Sequence, residues 1–277
     1  MQSPYTIRTQ MTFLLVVGAM LLASQSGDAS AQELTRGFDV RLKATPKGTE
    51  FRAQDDLWIL QVTLKPMRMI WVDVTNGESG KKSRELYWYL VYRVVNRQLD
   101  RPAETRDSVP INEQDVRPKP IFIPEATLIT NDNGRQEVYH DVISLEVQDA
   151  ITSRERMALS NPVEIIQEVP AATAEGAEDE KAIDGVFIWR NVDAKTDYFT
   201  VFLSGFASSY RIAVDPDGND LAWRRTIQQE FWRPGDRFDE NQQEFRRRNE
   251  PKWIFRADGS SDRKVAPIEL PKSRVNR

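Results

Sequence analysis

The chain has no cysteine and one histidine, His140, in 277 residues. Without thiols there is no disulfide, no CxxC redox pair, no cysteine nucleophile, and no thiolate zinc or iron–sulfur site. One imidazole cannot make a multi-histidine metal centre; a triad built on His140 and a purely carboxylate site stay open. A basic excess is also missing, because 38 Lys+Arg face 42 Asp+Glu, for a formal charge of -4. That balance argues against nucleic acid as the main partner, since phosphate binding draws on a basic domain or stripe. Long apolar runs are scarce as well. Met11 to Ala23 is uninterrupted, yet it is shorter than the roughly 20 residues of a bilayer span.

That run has its own meaning. Arg8 precedes it, Ser24 to Ala31 follows as a small, polar stretch, and Ala29-Ser30-Ala31 closes it. This three-part layout predicts a secretory signal peptide over 1–31, cleaved after Ala31, with an uncleaved anchor helix as the rival reading. No cysteine follows for lipid attachment and no twin arginine precedes. The mature protein is then expected to be periplasmic or extracellular, with no stable membrane span and only its core to hold it together. Apolar residues at 40%, with 7 Trp, 12 Phe and 7 Tyr, are enough for such a core.

Strand patterns dominate the mature chain. In Leu57–Leu64, Trp58, Leu60, Val62 and Leu64 share one face, opposite Gln61 and Thr63, until Pro66 interrupts. Met69–Thr75 alternates in the same way, with Ile70, Val72 and Val74 inward and Trp71 and Asp73 outward. After a turn over Asn76–Lys82, Leu86–Asn96 (LYWYLVYRVVN) carries large β-formers on both faces. Arg97–Pro120, rich in proline and charge, reads as a long loop. Further strands are predicted at Ile121–Thr130, at Val138-Tyr139 behind an Asn133-Gly134 hairpin turn, and at Val163–Ile166, Gly185–Trp189, Tyr198–Leu203, Trp223–Trp232 and Trp253–Phe255. Ser144–Met157 has helical spacing behind a Ser144 N-cap. Pro170–Ala182 reads as a flexible loop, Asp215–Asp220 as a turn, Asp236–Arg248 as a short solvated helix, and the tail from Ala257 as disordered.

Short strands at regular spacing with one helix among them predict a mainly β protein. The expected fold is an antiparallel immunoglobulin-like sandwich over 32–256, with one short helix and a C-terminal β extension. The strand ending at Asn96, the Asp132-Asn133-Gly134 turn with Tyr139, and Gly185–Trp189 resemble exported immunoglobulin-like modules over about 55–205. Trp71-Val-Asp-Val74, Leu90–Asn96, Tyr139-His-Asp141 and Phe231–Phe238 resemble an uncharacterised family of exported proteins from planctomycete-type bacteria. The resemblance implies a compartment and no mechanism.

Each candidate for chemistry has a plainer rival. His140 beside Asp141 would serve a serine nucleophile, but no G-x-S-x-G elbow exists and Ser204-Gly205 is a poor substitute. Asp215, Asp217 and Asn219 begin a calcium-loop spacing that fails at Asp220, where glycine belongs, and at Thr226, where a glutamate belongs. Glu175, Glu178, Asp179 and Glu180 fit a solvated acidic loop. Arg224-Arg225 and Arg246-Arg247-Arg248 suit an acidic glycan or a membrane surface, though nearby acids dilute them into an ordinary solvated face. No metal and no cofactor are expected. The aromatic strand Leu86–Asn96 offers one surplus face, so Tyr87, Tyr89 and Arg93 are a candidate binding face unless the sequence after Trp223 covers the strand. Residues 221–256, rich in Trp and Phe, are expected to complete or cover the sandwich. The residues thus favour a non-catalytic exported interaction or structural module of the cell envelope, with a protein or glycan partner. The alternative is a carbohydrate-active or other hydrolytic enzyme using carboxylates only.

Overall fold

The computed structural model describes residues 37–54, 56–75, 77, 80–100, 119–132, 135–214, 220–234 and 245–257. The elements run β1 (Val40–Leu42), α1 (Gly48–Ala53), β2 (Leu60–Leu64), β3 (Arg68–Thr75), β4 (Lys82–Asn96), β5 (Ile121–Phe122), β6 (Glu125–Thr130) and β7 (Val138–His140). They continue through α2 (Leu145–Glu155), β8 (Gln167–Glu168), β9 (Ala182–Arg190), β10 (Tyr198–Ser204), β11 (Tyr210–Val214), β12 (Asp220–Trp232), β13 (Arg246–Arg247) and β14 (Lys252–Ala257). The protein is mainly β, and its named strands pair antiparallel.

The first sheet is built around β4, whose length lets it pair with two strands along one edge. β2 takes its C-terminal half (Leu60↔Asn96 to Leu64↔Tyr92) and β3 its N-terminal half (Arg68↔Tyr89 to Thr75↔Lys82). These two are a single strand interrupted at Pro66, which has no N–H to give to the ladder. β9 lines the other edge of β4 from Arg190 to Ala182, and β1 extends the sheet beyond β2. Gly185 lies opposite Tyr92, where a Cβ would collide with the tyrosine ring.

The second sheet centres on β12. β10 pairs with its C-terminal half and β11 with its N-terminal half, β14 and β13 pair along its other edge, and β6 and β7 extend the sheet beyond β10. The sequence from Asp220 to Ala257 therefore supplies the middle of this sheet. Its inner side chains meet the Trp88, Leu90, Tyr92 and Val94 face of β4. Trp88 packs edge-on to Phe199 at 5.0 Å between centroids and contacts Phe245 at 4.5 Å, while Phe199 stacks on Phe231 at 5.1 Å. Such contacts between sheet faces are the core of a β-sandwich.

The other face of β4 is covered too, by α2. Val147 and Ile151 of this helix are fully buried against Tyr87, Tyr89, Val91, Val72 and Ile188. Full burial of side chains of this size stabilises by about 1.5–3 kcal/mol each. Ser144 occupies the N-cap position without a side-chain cap hydrogen bond, and the helix ends at Arg156 in the left-handed conformation (φ 54°).

Several expectations are corrected. β2 is buried on both faces, including Gln61, opposite Val95, and Thr63, which stands between Arg41 and Arg93. Val163–Ile166 is a turn rather than a strand, since the Asn161 side chain accepts the N–H groups of Val163 and Glu164 at 3.0 Å and curls the backbone. Two helices are present among the described residues where one was expected: α1 is held by Glu50, which accepts the Lys47 N–H at 2.6 Å. Arg246–Arg247 is a strand that follows buried Phe245, and the rest of the expected helix at 236–248 lies outside the described residues. The signal segment at 1–31, the Asn133-Gly134 and 215–219 turns and the tail beyond 257 are also outside the described residues. The expected loop at Pro170–Ala182 is a loop up to Lys181, with Thr173 bridged to Arg97, and Ala182 already opens β9.

Candidate functional site

The Tyr87, Tyr89 and Arg93 face does not stand open. Tyr87 is 3% and Tyr89 0% exposed beneath α2. The Tyr89 hydroxyl donates to Glu155 at 2.8 Å, and Arg93 forms a fork with Asp184 at 2.6 and 2.8 Å while lying over the Phe38 ring. Their surplus was real, but a helix inserted between β7 and β9 covers it rather than a ligand.

At the margin of that face a cleft of about 300 Å³ opens between the end of β3, β4 and the start of α2. Glu85, Tyr87, Ser144, Glu146 and Arg190 line it. Glu85 accepts the hydroxyls of Ser83 at 3.0 Å and Tyr87 at 2.9 Å, and Glu146 accepts the Thr75 N–H at 3.0 Å. Burial, reinforced by the bond to Glu85, pushes the Tyr87 hydroxyl up to about 12. That phenol keeps its proton at neutral pH, and both carboxylates are committed to neighbours in their own chain.

The other sequence candidates disperse. His140 is exposed at the end of β7, opposite Thr127 in the ladder, and Asp141 accepts the Ala126 N–H at 3.2 Å; among the described residues no hydrogen bond joins the two side chains into a dyad. Glu175 pairs with Arg41 at 3.3 Å and Glu180 with Arg97 at 2.5 Å, so these acids do not converge. Among the described residues no group of three or more His, Asp or Glu is placed to hold a metal ion.

Strand alternation sorts the arginine runs. Arg225 points inward, where it donates to both oxygens of Glu50 at 2.8 Å and lies over Trp253; the pair is almost fully buried. Arg247 likewise turns in, toward Asp39 and the Lys65 carbonyl. Arg224, Arg246 and Arg248 point the other way and are exposed.

What they join is the outer face of the second sheet, turned away from the core that this sheet shares with the first. The register lays it out in rows. Tyr198 stands beside Trp232 and Arg246; Ile129 beside Thr200 and Glu230; Thr127 beside Phe202, Gln228 and Lys252; Arg256 beside Arg224 and Tyr210. Beyond them, β11 and the start of β12 form an arm whose outer side carries Ile212 and Val214. Tyr198 is 46%, Tyr210 49%, Ile212 64% and Val214 66% exposed. The signal for this face was present in Tyr198–Leu203, where Tyr198 and Phe202 alternate against Phe199, Val201 and Leu203. It was masked because either set reads as a core face.

No family model, no curated protein and no solved structure matches the chain.

Proposed function

We propose that the chain is an exported, non-catalytic interaction module of the cell envelope and that the outer face of the second sheet is its contact surface. The exposure of Tyr198, Tyr210, Ile212 and Val214 on the outer face of the second sheet carries this reading. Large apolar groups gathered on an exposed surface mark interaction sites. Export rests on the signal-like segment ending at Ala31 and on the resemblance to exported envelope proteins. The partner is a protein or a glycan of the envelope, reached outside the cytoplasm.

Two measurements test it. Mass spectrometry of the protein from its native host is expected to find Gln32, or its cyclised form, at the N-terminus; intact Met1 in a membrane fraction would overturn export. Mature protein is expected to sediment with isolated envelopes, and the Tyr198→Ser/Ile212→Ser/Val214→Ser variant to remain in the supernatant with its melting temperature preserved. Equal sedimentation of both would remove the face as contact surface. Turnover of a glycoside or ester substrate that is lost in Glu85→Gln or Glu146→Gln would favour the carboxylate hydrolase instead.

A further inference from the structure

The outer face of the second sheet ends at an edge strand, β11, which pairs with β12 on one side from Tyr210↔Arg224 to Val214↔Asp220. One step before that ladder, the Arg225 N–H donates to the Ser209 carbonyl at 3.0 Å. Opposed residues of antiparallel strands alternate between hydrogen-bonded and non-bonded pairs. Arg211 and Ala213 therefore turn their backbone groups to β12, and Tyr210, Ile212 and Val214 turn theirs away from it. Among the described residues no hydrogen bond reaches these three outward N–H groups or their three carbonyls.

Two other edges are closed by the chain itself. On β3, Arg154 donates to the Met69 carbonyl at 2.7 Å and Glu146 accepts the Thr75 N–H at 3.0 Å. On β9, the Val142 N–H donates to the Ile188 carbonyl at 2.8 Å and the Val186 N–H to the Ser160 carbonyl at 3.0 Å. The edge strand Tyr210-Arg-Ile-Ala-Val214 has no such cover among the described residues, and it holds no proline or lysine of the kind that blunts an edge. Its one charged side chain, Arg211, lies over the Phe255 ring at 4.0 Å. An open edge with alternating exposed apolar side chains is a template for a further strand.

We infer that β11 pairs antiparallel with β11 of a second copy of this chain, about a two-fold axis that passes through Ile212 and stands normal to the sheet. The strand specifies this occupant through its own order of residues. In this register Ile212 faces Ile212 of the second copy and Tyr210 faces Val214, so every outward N–H and carbonyl of both strands finds a partner. Ile–Ile and aromatic–β-branched pairs across strands are stabilising, and Arg211 falls opposite Ala213, so no like charges meet. A five-residue edge is small beside the roughly 1,600 Å² of a standard interface, which makes the dimer weak and reversible in solution. An axis normal to the sheet leaves the outer faces of both copies on one side, as one continuous surface with two contact faces. Engagement of the first face raises the effective concentration of the second. That last consequence rests on the outer face being the contact surface; the pairing does not.

Sedimentation velocity of the exported protein over a concentration series, with cross-linking of single-cysteine variants, tests the inference. The chain has no cysteine of its own, so each introduced thiol is unique. Opposed residues in a hydrogen-bonded pair lie about 5.5 Å apart at Cα, within disulfide range. Ile212→Cys is expected to give several-fold more disulfide-linked dimer on mild oxidation than Ile143→Cys, whose position is exposed at 51% on a different part of the surface. Wild type should shift from monomer to dimer as concentration rises. Ile212→Pro removes an N–H that β12 does not use, so it should abolish the shift while leaving the circular dichroism spectrum unchanged. Ile212→Lys and Ile212→Glu should each weaken dimerisation by about tenfold or more, because each sets a charge against its own copy, and mixing the two variants should restore it. A wild type that stays monomeric throughout, a dimer that survives Ile212→Pro, or equal cross-linking at positions 212 and 143 would each overturn the inference. If wild type stays monomeric while Tyr198→Ser/Ile212→Ser/Val214→Ser still abolishes envelope sedimentation, the contact face stands and the pairing is wrong. If the edge pairs as described and that variant sediments normally, the pairing stands and the contact face is wrong.

Discussion

Glu155, at the end of α2, shows how single residues fasten this fold. It accepts Lys65 Nζ at 2.9 Å, an Arg68 N–H at 2.6 Å and the Tyr89 hydroxyl at 2.8 Å, and its side chain is 3% exposed against 5% for Lys65. Burial by itself would raise its pKa, but the three donors outweigh burial and hold it below the ordinary value of 4.5. The sign follows from that depression: the ionised carboxylate stabilises the fold fully above the unfolded value, and the contribution is lost as pH falls through the lower folded value. Glu155→Gln leaves Lys65 buried without its counter-charge and is expected to cost about 3 kcal/mol at pH 7. Urea unfolding at pH 7 and at pH 3.5 should show the gap between wild type and variant narrowing in acid; parallel losses would mean that the carboxylate is not the anchor. Gly205 is a backbone requirement of a different kind. At φ 85° it faces the Ile123 carbonyl, and a Cβ there would overlap that oxygen. Gly205→Ala is therefore expected to lose at least about 2 kcal/mol by urea unfolding, from left-handed strain plus the clash.

At the scale of elements, α2 is the part that turns a two-faced strand into a core strand. Its two fully buried side chains, Val147 and Ile151, meet Tyr87, Tyr89 and Val91 directly. Ile151→Ala should cost about 2–4 kcal/mol, transfer and cavity together. A loss below 1 kcal/mol by chemical denaturation would show the helix to be a loose cover, with the tyrosine face accessible after all. The helix itself was readable from the spacing of Val147, Ala150 and Ile151. Its destination was not, because nothing local to Ser144–Met157 says which of several apolar faces it will meet. Val163–Ile166 misleads for the opposite reason: the residues are apolar, but Asn161 side-chain bonding outcompetes the strand.

Over the whole molecule, the segment from Asp220 to Ala257 is indispensable to the sandwich. β12 is the strand to which β10, β11, β13 and β14 all pair, and its inner face supplies Ile227 and Phe231 to the shared core. A chain ending before Asp220 should aggregate or lose its cooperative melting transition. One ending at Ala257 keeps every described strand and should melt with the full-length protein. Equal melting of the chain cut before Asp220 would make the first sheet with α2 independent of the second.

Several features follow from the sequence by itself: exclusion of thiol and multi-histidine chemistry, the mainly antiparallel β character, the strand at Leu86–Asn96 with large residues on both faces, and the helix after Ser144. All of these rest on composition or on periodicity within one segment, where side-chain alternation is a local property of the backbone. Tertiary structure decided the rest. Which face of β4 meets a helix and which meets a sheet, why Arg225 closes on Glu50 across 175 residues of sequence, and why Arg224, Arg246, Arg248 and Arg256 come together with Tyr198 and Phe202 all depend on strand register between distant segments. A one-residue slip in that register would exchange inward and outward arginines. The outer face of the second sheet is therefore a product of pairing, and no single stretch of the chain carries it.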